Sequence, residues 1–294
     1  MGELVGLVQN ISNGLLIGGV YALIGAGLTL IFGVMRTINF AHGDFVVLGM
    51  YSAFAFNMFF GWDPYLSLLV VLPAGFLLGV LIERLILAPI VDKPHETSLL
   101  ATLGISLIIG NTMLLTFGGE SKSVYVGYAS DVFSFGEVRI SVILLLAGAV
   151  TALVMGGLYL LLHHTEFGRS IRATSENRLG AELVGINTRR IQGAVFGLGT
   201  MLAMTAGVAL IPLLFATPTA TGPILTLKAF VVIVLGGLGR AGAAVAGGLI
   251  LGVVEVLGTA YIDSAYRDAY GLLFFLIILL FKPEGLFGRS VKRV

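Results

Sequence analysis

Residues 15–32, LLIGGVYALIGAGLTLIF, decide the fold class of this chain. The stretch contains no charged residue and no alternation of polar and apolar positions. Backbone groups in lipid must be hydrogen-bonded internally, so a membrane span is either a helix or a strand of a closed barrel, and barrel strands alternate. We therefore predict a membrane helix here, and an all-α polytopic integral membrane protein for the whole chain.

Composition also places the chain in the membrane class. Its mean hydropathy is +1.02 and 11% of its residues are charged, against about 25% in an average soluble domain. Glycine occurs 41 times, roughly twice its average frequency, and glycine in apolar helices favours close helix packing. Three pairs have the small-xxx-small spacing of such contacts: Gly14/Gly18, Gly193/Gly197 and Gly248/Gly252.

Apolar runs predict about eight or nine membrane spans in a single transmembrane domain, residues 1–294. The spans lie at roughly 11–34, 42–60, 65–83, 98–117, 139–162, 191–215, 225–238, 242–261 and 268–282. A basic tail, 282–294, follows them. The segment 118–138 carries aromatic and acidic residues, which fits either an interfacial aromatic belt or a docking surface for an external partner.

Two spans are irregular and point to a transport pathway. The seventh, 225–238, has about 14 residues where a full crossing needs about 20, and it runs into the glycine-rich stretch 236–242. The second begins at a polar break, 39–44. Broken helices are tolerated in membranes only where protein or a water-filled cavity covers their free backbone groups. The candidate pathway residues are Asn39, His42, Asp44, Gly236, Gly237 and Gly239.

The break at 39–44 has a second explanation. Asn39 or Asp44 would cap the helix by accepting free backbone N–H groups. Both explanations can hold, since a helix N-terminus that faces a cavity also attracts anions. The second and seventh spans share a Phe-Val-Val cluster and run in opposite directions, which is consistent with an inverted repeat.

Glu255 is a further pathway candidate because it is the one carboxylate inside an unambiguous span. An ionised side chain there costs at least about 2.5 kcal/mol on insertion scales, so it needs a cavity or a partner. The alternative role is structural, namely a hydrogen bond to a neighbouring helix, for instance to Asn111 or Thr200.

A water-exposed segment, 163–190, interrupts the apolar runs with the sequence HHTEFGRSIRATSENRLGAELVGINTRR. It carries five of the seventeen lysine and arginine residues. Ser175 and Glu176 are followed by apolar residues at the 3.6-residue period of a short amphipathic helix. These apolar residues are Leu179, Leu183, Val184 and Ile186. We predict that this helix docks a separate ATPase that drives transport.

Charge predicts the orientation of the chain. With the N-terminus outside, thirteen of the seventeen basic residues fall on the inner side, and an odd number of spans puts the C-terminal tail there too. This agrees with the positive-inside tendency. The four on the outer side are Lys122, Arg139, Lys228 and Arg267.

The candidate motifs for catalysis, nucleotide binding or metal binding lack the fold or the residue spacing that these functions require. Residues 237–242 match G-x-G-x-x-G, but a dinucleotide site needs a parallel sheet. None of the lysines follows a glycine, so a P-loop is absent. His163 and His164 lack the i, i+4 spacing of a zinc helix. We therefore predict no catalytic residue, no metal site and no cofactor in this chain.

Several short motifs, taken together, resemble one family over nearly the whole chain: bacterial ABC-importer permeases of the branched-chain amino acid type, the LivH-like subunit. The motifs are Asn13-Gly14 with Tyr21-Ala22-Leu23, the run Ile38–Phe45, Arg172-Ala173 through Glu176-Asn177 to Ala181-x-Leu183-x-Gly185-Ile186-Asn187, the run Val234–Gly239, and the run Lys282–Gly288.

The resemblance implies a subunit of the bacterial inner membrane with several partners. These are a second, LivM-like permease subunit, two cytoplasmic ATPase subunits and a periplasmic amino-acid-binding protein, with ATP and Mg on the ATPase subunits and no nucleic acid. Residues 173–186 correspond to the family's coupling helix, without the Leu-Pro pair of the wider importer signature. The implied coupling residues are Arg172, Glu176, Asn177, Ala181, Leu183, Gly185 and Ile186.

The expected function is import of branched-chain or other apolar amino acids. Two alternatives stay open at this point. Urea or amide permeases of the same family share the break at 39–44, although they usually carry a long N-terminal extension. A self-contained ion-coupled transporter would use Glu255 as an ion site, but it gives no reason for the basic amphipathic segment.

Overall fold

Helices form nearly all of the regular structure in the described part of the chain. The computed structural model describes residues 2–91, 93–237, 241–282 and 285–286. The helices are α1 (Gly2–Met35), α2 (His42–Phe60), α3 (Leu68–Ile82), α4 (His95–Phe117), α5 (Val142–His164), α6 (Glu166–Glu176), α7 (Arg178–Leu183), α8 (Thr188–Leu210), α9 (Thr221–Gly236), α10 (Ala241–Tyr261) and α11 (Arg267–Phe281). Two strands, β1 (Val132–Phe135) and β2 (Val138–Ser141), lie between α4 and α5.

The predicted membrane helices are confirmed within these residues. Eight helices are long and apolar enough to cross a membrane, and α9 is apolar but shorter, with 16 residues. The all-α polytopic fold class is therefore correct, and the seventh predicted span is indeed the short one.

The centre of the bundle consists of α1 and α8. About 89% of the apolar stretch of α8 and 78% of that of α1 is buried, against 6% for the stretch that contains α11. α1 packs mainly on α10 and α8, and α8 also packs on α2 and α3. α4, α5 and α11 carry exposed apolar side chains, which suit contact with lipid or with another membrane subunit.

Two of the glycine pairs allow a close contact between α1 and α10. A Cβ atom on Gly14 would lie 2.7 Å from the Cα atom of Val253, and one on Gly18 would lie 2.8 Å from the carbonyl oxygen of Gly248. Both distances are too short for a real side chain, so the two backbones touch only because glycine is present. This confirms the small-xxx-small interpretation.

The hairpin β1–β2 corrects the predicted start of the fifth span. Residues 138–141, placed partly in a membrane helix by their hydropathy, pair with β1, and α5 begins at Val142. The turn between the strands contains Gly136 at φ 64°, a conformation that suits a two-residue hairpin loop. Phe133 and Phe135 on β1 are 59% and 80% exposed. The aromatic segment 118–138 thus stays open to either of its two expected roles.

The third span is longer than predicted and buries an acid. α3 continues through a π-helical turn, Glu83–Leu87, and a 3-10 turn, Ala88–Ile90. Glu83, expected at the inner end of the span, is 2% exposed and faces Gly193 of α8. Glu255 is therefore not the only buried carboxylate in a membrane helix.

Candidate functional site

The polar break before α2 folds back into the bundle. α1 ends at Met35, and Arg36, with φ 55°, starts a reversal of the chain. Nε2 of His42, the first residue of α2, lies 2.9 Å from the carbonyl oxygen of Ile24. Ile24 precedes Met35 by 11 residues, which at 1.5 Å per residue is about 16 Å of helix. α2 therefore begins part-way along α1, inside the bundle.

The start of α2 is pressed against the first turns of α9. The Gly43 N–H donates to Oγ1 of Thr226 at 2.9 Å, and this hydroxyl donates to the Phe40 carbonyl at 3.2 Å. The carboxylate of Asp44 lies against Gly222. From α4, Oγ1 of Thr102 accepts a hydrogen bond from the Phe40 N–H at 3.2 Å. We call this contact the α2–α9 junction, defined as residues 39–44, Thr102, Gly222 and Thr226.

Three polar atoms in the junction are buried without a hydrogen-bond partner among the described residues. They are Nδ2 of Asn39, Nδ1 of His42 and Oδ2 of Asp44. The three residues are 1%, 0% and 2% exposed. Buried polar groups are normally paired, so an unpaired one needs an explanation. Three of them at the start of one broken helix make the junction the best candidate for a passage or binding site of a polar group.

Capping explains only part of this arrangement. Oδ1 of Asn39 accepts a hydrogen bond from the Ala41 N–H at 3.1 Å. The residue before α2, Ala41, provides no side-chain cap, and Asp44 lies in the first turn. Asn39 therefore accepts a free N–H at the start of α2, as one of the two expected caps, while the Asp44 carboxylate lies against Gly222 of α9.

The other end of α9 forms the second irregular region. At 1.5 Å per residue its 16 residues span about 24 Å, less than the roughly 30 Å of a bilayer core. α9 ends at Gly236, which packs on Ala243 of α10, and Gly237 follows with φ 93°. Gly236 and Gly237 thus lie at the opposite end of α9 from the junction. Gly239 lies outside the described residues.

Glu255 belongs to a buried charged cluster. Its carboxylate oxygens lie 2.6 and 2.7 Å from Nζ of Lys228, and the Tyr21 hydroxyl donates to it at 2.8 Å. Lys228 also reaches Asp268 at 2.9 Å, while Arg267 lies 3.7 Å from Glu255. The formal charges of the two acids and two bases cancel. This cluster joins α1, α9, α10 and the start of α11.

The cluster corrects two expectations. Lys228, counted on the outer side, is 9% exposed and lies inside α9. Asn111 and Thr200 are not partners of Glu255, because Asn111 bonds to its own helix through the Leu107 carbonyl and the Thr200 hydroxyl has no partner among the described residues. A lysine within an apolar run was the signal in the sequence, since such a charge needs a buried counter-ion.

Segment 163–190 forms two short helices instead of one. α6 ends at Glu176, and Asn177 both terminates it and caps α7, accepting a hydrogen bond from the Gly180 N–H at 2.9 Å. The prediction of a single amphipathic helix around 173–186 is therefore wrong, because the helix is interrupted at Asn177. Asparagine was the missed signal, since its side chain favours a cap over a helix interior.

α7 presents apolar side chains to solvent. Leu179, Leu183 and Val184 are 73%, 89% and 76% exposed. Ala181 points inward at 3% exposure, and Ile186 is half-buried. The turn ends at Gly185, whose φ of 89° suits the glycine that commonly follows a helix. We call Leu179, Leu183 and Val184 the α7 patch.

Hydrogen bonds hold the two helices in place. Oγ1 of Thr188 and Nε of Arg178 both donate to Glu182, and these contacts, the Thr188 bond first, lower the pKa of that carboxyl group. Arg172 donates to the carbonyl of Leu162 at the end of α5. Arg172 and Glu176 also line an open cavity of about 1210 Å³ between α1, α5, α6 and α10.

One contact links this segment to the broken helix. Nη2 of Arg36 donates to the carbonyl oxygen of Ser175 at 3.1 Å. Arg36 begins the reversal that leads into the α2–α9 junction, and Ser175 lies in the last turn of α6. This hydrogen bond therefore connects α6 directly to the segment that leads into the junction.

Comparison with protein families identifies the family to which this chain is similar. The family described as the permease component of the branched-chain amino acid transport system matches residues 10–282. No solved structure matches the chain.

Three curated proteins are similar to this chain over almost its full length. The high-affinity branched-chain amino acid transport system permease protein BraD of Pseudomonas aeruginosa is 34% identical, with 100% of both chains covered. The corresponding protein LivH of Escherichia coli K12 is 32% identical, over 98% of this chain and 97% of its own. A probable branched-chain amino acid transport permease protein LivH of Methanocaldococcus jannaschii is 34% identical, over 92% and 90%.

Proposed function

Because the chain belongs to the family of branched-chain amino acid transport permeases, we propose that it is the multi-pass subunit of an ATP-driven importer that moves branched-chain or other apolar amino acids across the bacterial inner membrane. The family membership and the eight membrane-length helices support this proposal. The urea or amide alternative has no support among the relatives that match over nearly the full chain, since these are named for branched-chain amino acids.

The permease works with other subunits. It pairs with a second permease subunit of the same family, two ATPase subunits on the cytoplasmic face, which bind ATP and Mg, and a periplasmic amino-acid-binding protein. The α7 patch supports the ATPase contact, since three exposed apolar side chains on a short helix are typical of a docking surface. Among the described residues, no group of acids and histidines could hold a metal ion.

The N-terminus is periplasmic and the C-terminus cytoplasmic in this proposal. The basic segment 163–190 then lies in the cytoplasm with the ATPase subunits. Lys228 no longer counts toward this charge balance because it is buried in the bundle. Twelve arginines and four lysines remain, and the inner side keeps its excess.

The Arg36–Ser175 hydrogen bond carries the mechanism. When ATP binding closes the ATPase subunits, they press on the α7 patch, and α7 and α6 move. Arg36 transmits that motion to residues 36–41, and α2 separates from α9 at the junction. The unpaired atoms of Asn39, His42 and Asp44 then gain contact with water and with the passing amino acid. Gly236 and Gly237 allow the far end of α9 to adjust.

The self-contained, ion-coupled transporter is disfavoured by the cluster around Glu255. An ion site needs a carboxylate that can exchange its partner, whereas Glu255 is bound by Lys228 and Tyr21 at hydrogen-bond distance. We assign Glu255 a structural role that fixes α9 against α1 and α10.

Uptake into reconstituted vesicles tests the proposal. The permease, its second permease subunit, the ATPase subunits and the binding protein are combined, and uptake of radiolabelled leucine is followed with ATP inside the vesicles. We expect accumulation that requires ATP and the binding protein, and none from the permease alone. Accumulation by the permease alone under an ion gradient would show that the proposed class is wrong.

A further inference from the structure

A small pocket lies beside the reversal of the chain at Arg36. Its volume is about 280 Å³, and five parts of the fold meet around it: the end of α1, the turns after α3, the start of α4, helices α6 and α7, and the start of α8. The lining residues are Val34, Met35, Arg36, Thr37, Leu87, Val91, Lys93, Ser98, Thr174, Ser175, Arg178 and Gln192. No residue assigned above to passage or binding lies in it.

Two polar side chains in the wall are largely buried. Gln192 is 2% exposed and Ser98 is 8% exposed, and both line the pocket. An amide and a hydroxyl can both donate to and accept from a ligand that enters the pocket.

Three cations surround the same space. Arg36 donates one N–H to the Ser175 carbonyl, and Arg178 donates one to the Glu182 carboxylate. A guanidinium has five N–H donors, so each keeps donors for a ligand. Lys93 makes no ion pair with any described residue. The three positive side chains favour a carboxylate ligand, because hydrogen bonds between a cationic donor and a carboxylate are stronger than those between neutral groups.

The remaining wall is apolar. Val34, Met35, Leu87 and Val91 supply aliphatic surface. A ligand that satisfies both kinds of wall has one carboxylate and a short branched aliphatic group. Among the described lining residues there is no acid to pair with an ammonium group, so the carboxylate end dominates recognition.

The pocket lies next to the α2–α9 junction. Ser98 of α4 lines the pocket, and Thr102, four residues further on, binds the backbone of Phe40 in the junction. Four residues of helix rise by about 6 Å. Arg36 and Thr37 in the wall lead along the chain to Asn39, while Thr174, Ser175 and Arg178 belong to the segment that moves with the ATPase.

We propose that this pocket binds the carboxylate end of a branched aliphatic amino acid on the cytoplasmic side, after the junction and before release. This inference rests on the proposed function, because it takes its ligand class from it. Movement of α6 and α7 displaces three lining residues, Thr174, Ser175 and Arg178, so binding is weakened when the ATPase subunits close.

Equilibrium binding to the assembled transporter tests the pocket. The transporter is held in nanodiscs of phosphatidylcholine, and ATP and the binding protein are left out. The probes are leucine, 4-methylpentanoate, leucinamide and inorganic phosphate. We expect 4-methylpentanoate to bind at least as tightly as leucine, and leucinamide and phosphate to bind at least about tenfold more weakly, since each lacks one of the two matched features. Leucinamide binding as tightly as leucine, or phosphate as tightly as 4-methylpentanoate, contradicts the proposal.

Variants locate the binding. Gln192→Leu and Lys93→Gln should each weaken binding of 4-methylpentanoate about tenfold or more, and Lys122→Gln, a lysine of the outer segment, should not. ATP-driven leucine uptake by the wild type is measured in parallel. Uptake without carboxylate-dependent binding overturns the pocket and leaves the proposed function intact, whereas binding without uptake of any amino acid overturns the proposed function alone.

Discussion

At the scale of single residues, the cluster of Lys228, Glu255 and Tyr21 shows how a membrane protein accommodates charge. Burying a lone ion in a bundle is costly, but a paired and hydrogen-bonded ion is tolerated. Lys228 has three acceptors within 3.1 Å in Tyr21 and Glu255, and Asp268 at 2.9 Å. The cluster therefore holds α9, a helix too short to be fixed by its own length.

Removing one partner should cost more than removing both. We expect Lys228→Met to destabilise the protein by about 3–5 kcal/mol because Glu255 is left buried without its main counter-ion. The double variant Lys228→Met with Glu255→Gln should regain most of that loss. Thermal denaturation in detergent measures the stability of the single and the double variant. Equal loss in the double and the single variant would show that the two residues act independently.

The same double variant separates two transport classes. A carrier that couples uptake to ions through Glu255 should lose uphill transport when the carboxylate is gone. We expect ATP-driven leucine uptake by the reconstituted transporter to persist in Lys228→Met/Glu255→Gln. Loss of uptake in a variant that folds and assembles normally would return Glu255 to the pathway.

At the scale of helices, α2 and α9 are the two that depart from a regular span. Both are stabilised in unusual positions by backbone contact, since Gly43 and Gly222 bring them together without intervening side chains. Segment 163–190 is likewise two elements joined at Asn177. Its break directs the α7 patch outward while α6 stays bound to α5 and Arg36.

A methyl group at the junction should impair transport. In Gly43→Ala the new Cβ atom would lie 2.5 Å from Oγ1 of Thr226 and would overlap the Gly222 carbonyl. We expect a loss of about 1–3 kcal/mol in stability from overpacking and at least a tenfold fall in uptake. Gly157→Ala on α5 is the matched control, because a Cβ atom there meets nothing within 4 Å. Normal uptake by Gly43→Ala would exclude the junction from the pathway.

The α7 patch should be required for assembly with the ATPase subunits. Leu183 is 89% exposed, so Leu183→Asp leaves the fold of the permease unchanged but places a charge in the proposed interface. We expect ATPase affinity to fall about tenfold or more, measured by co-purification and by titration in detergent. The control is Leu4→Asp in the first turn of α1, where the leucine is 70% exposed. It should leave the ATPase affinity unchanged. Unchanged ATPase affinity in Leu183→Asp would remove α7 from the interface.

At the scale of the whole molecule, the bundle buries α1 and α8 and leaves α4, α5 and α11 outward. A permease that pairs with a second membrane subunit needs an apolar outer face of this kind, because lipid and protein both accept it. The asymmetry of charge then sets how the bundle is oriented. In the proposed mechanism, segment 163–190 and the α7 patch face the compartment that holds ATP.

Cysteine labelling in whole cells tests this orientation. The chain has no cysteine, so single-cysteine variants give an unambiguous signal. We expect Tyr125→Cys, in the segment 118–138 at 83% exposure, to react with a membrane-impermeant maleimide in spheroplasts. Glu176→Cys should react only after the cells are lysed. Labelling of Glu176→Cys in intact spheroplasts would place the coupling segment outside and end the ATPase mechanism.

Hydropathy alone was enough for the helices, because a span must satisfy its own backbone and must be apolar for about 20 residues. The break at 39–44, the short seventh span and the exposed segment 163–190 were all visible for the same reason, as local departures from that rule. The hairpin at 132–141 was missed because short apolar strands and helix ends have similar hydropathy, and only pairing distinguishes them.

The residues themselves thus determined that this protein is a helical bundle in a membrane, and where its helices are interrupted. Tertiary structure alone decided which distant groups meet: Lys228 with Glu255, 27 positions apart, and Gly43 with Thr226, 183 apart. Hydropathy is a property of each residue and its neighbours in sequence. The pairing of a buried charge or the contact of two glycines depends on how whole helices pack, and periodicity carries no information about that.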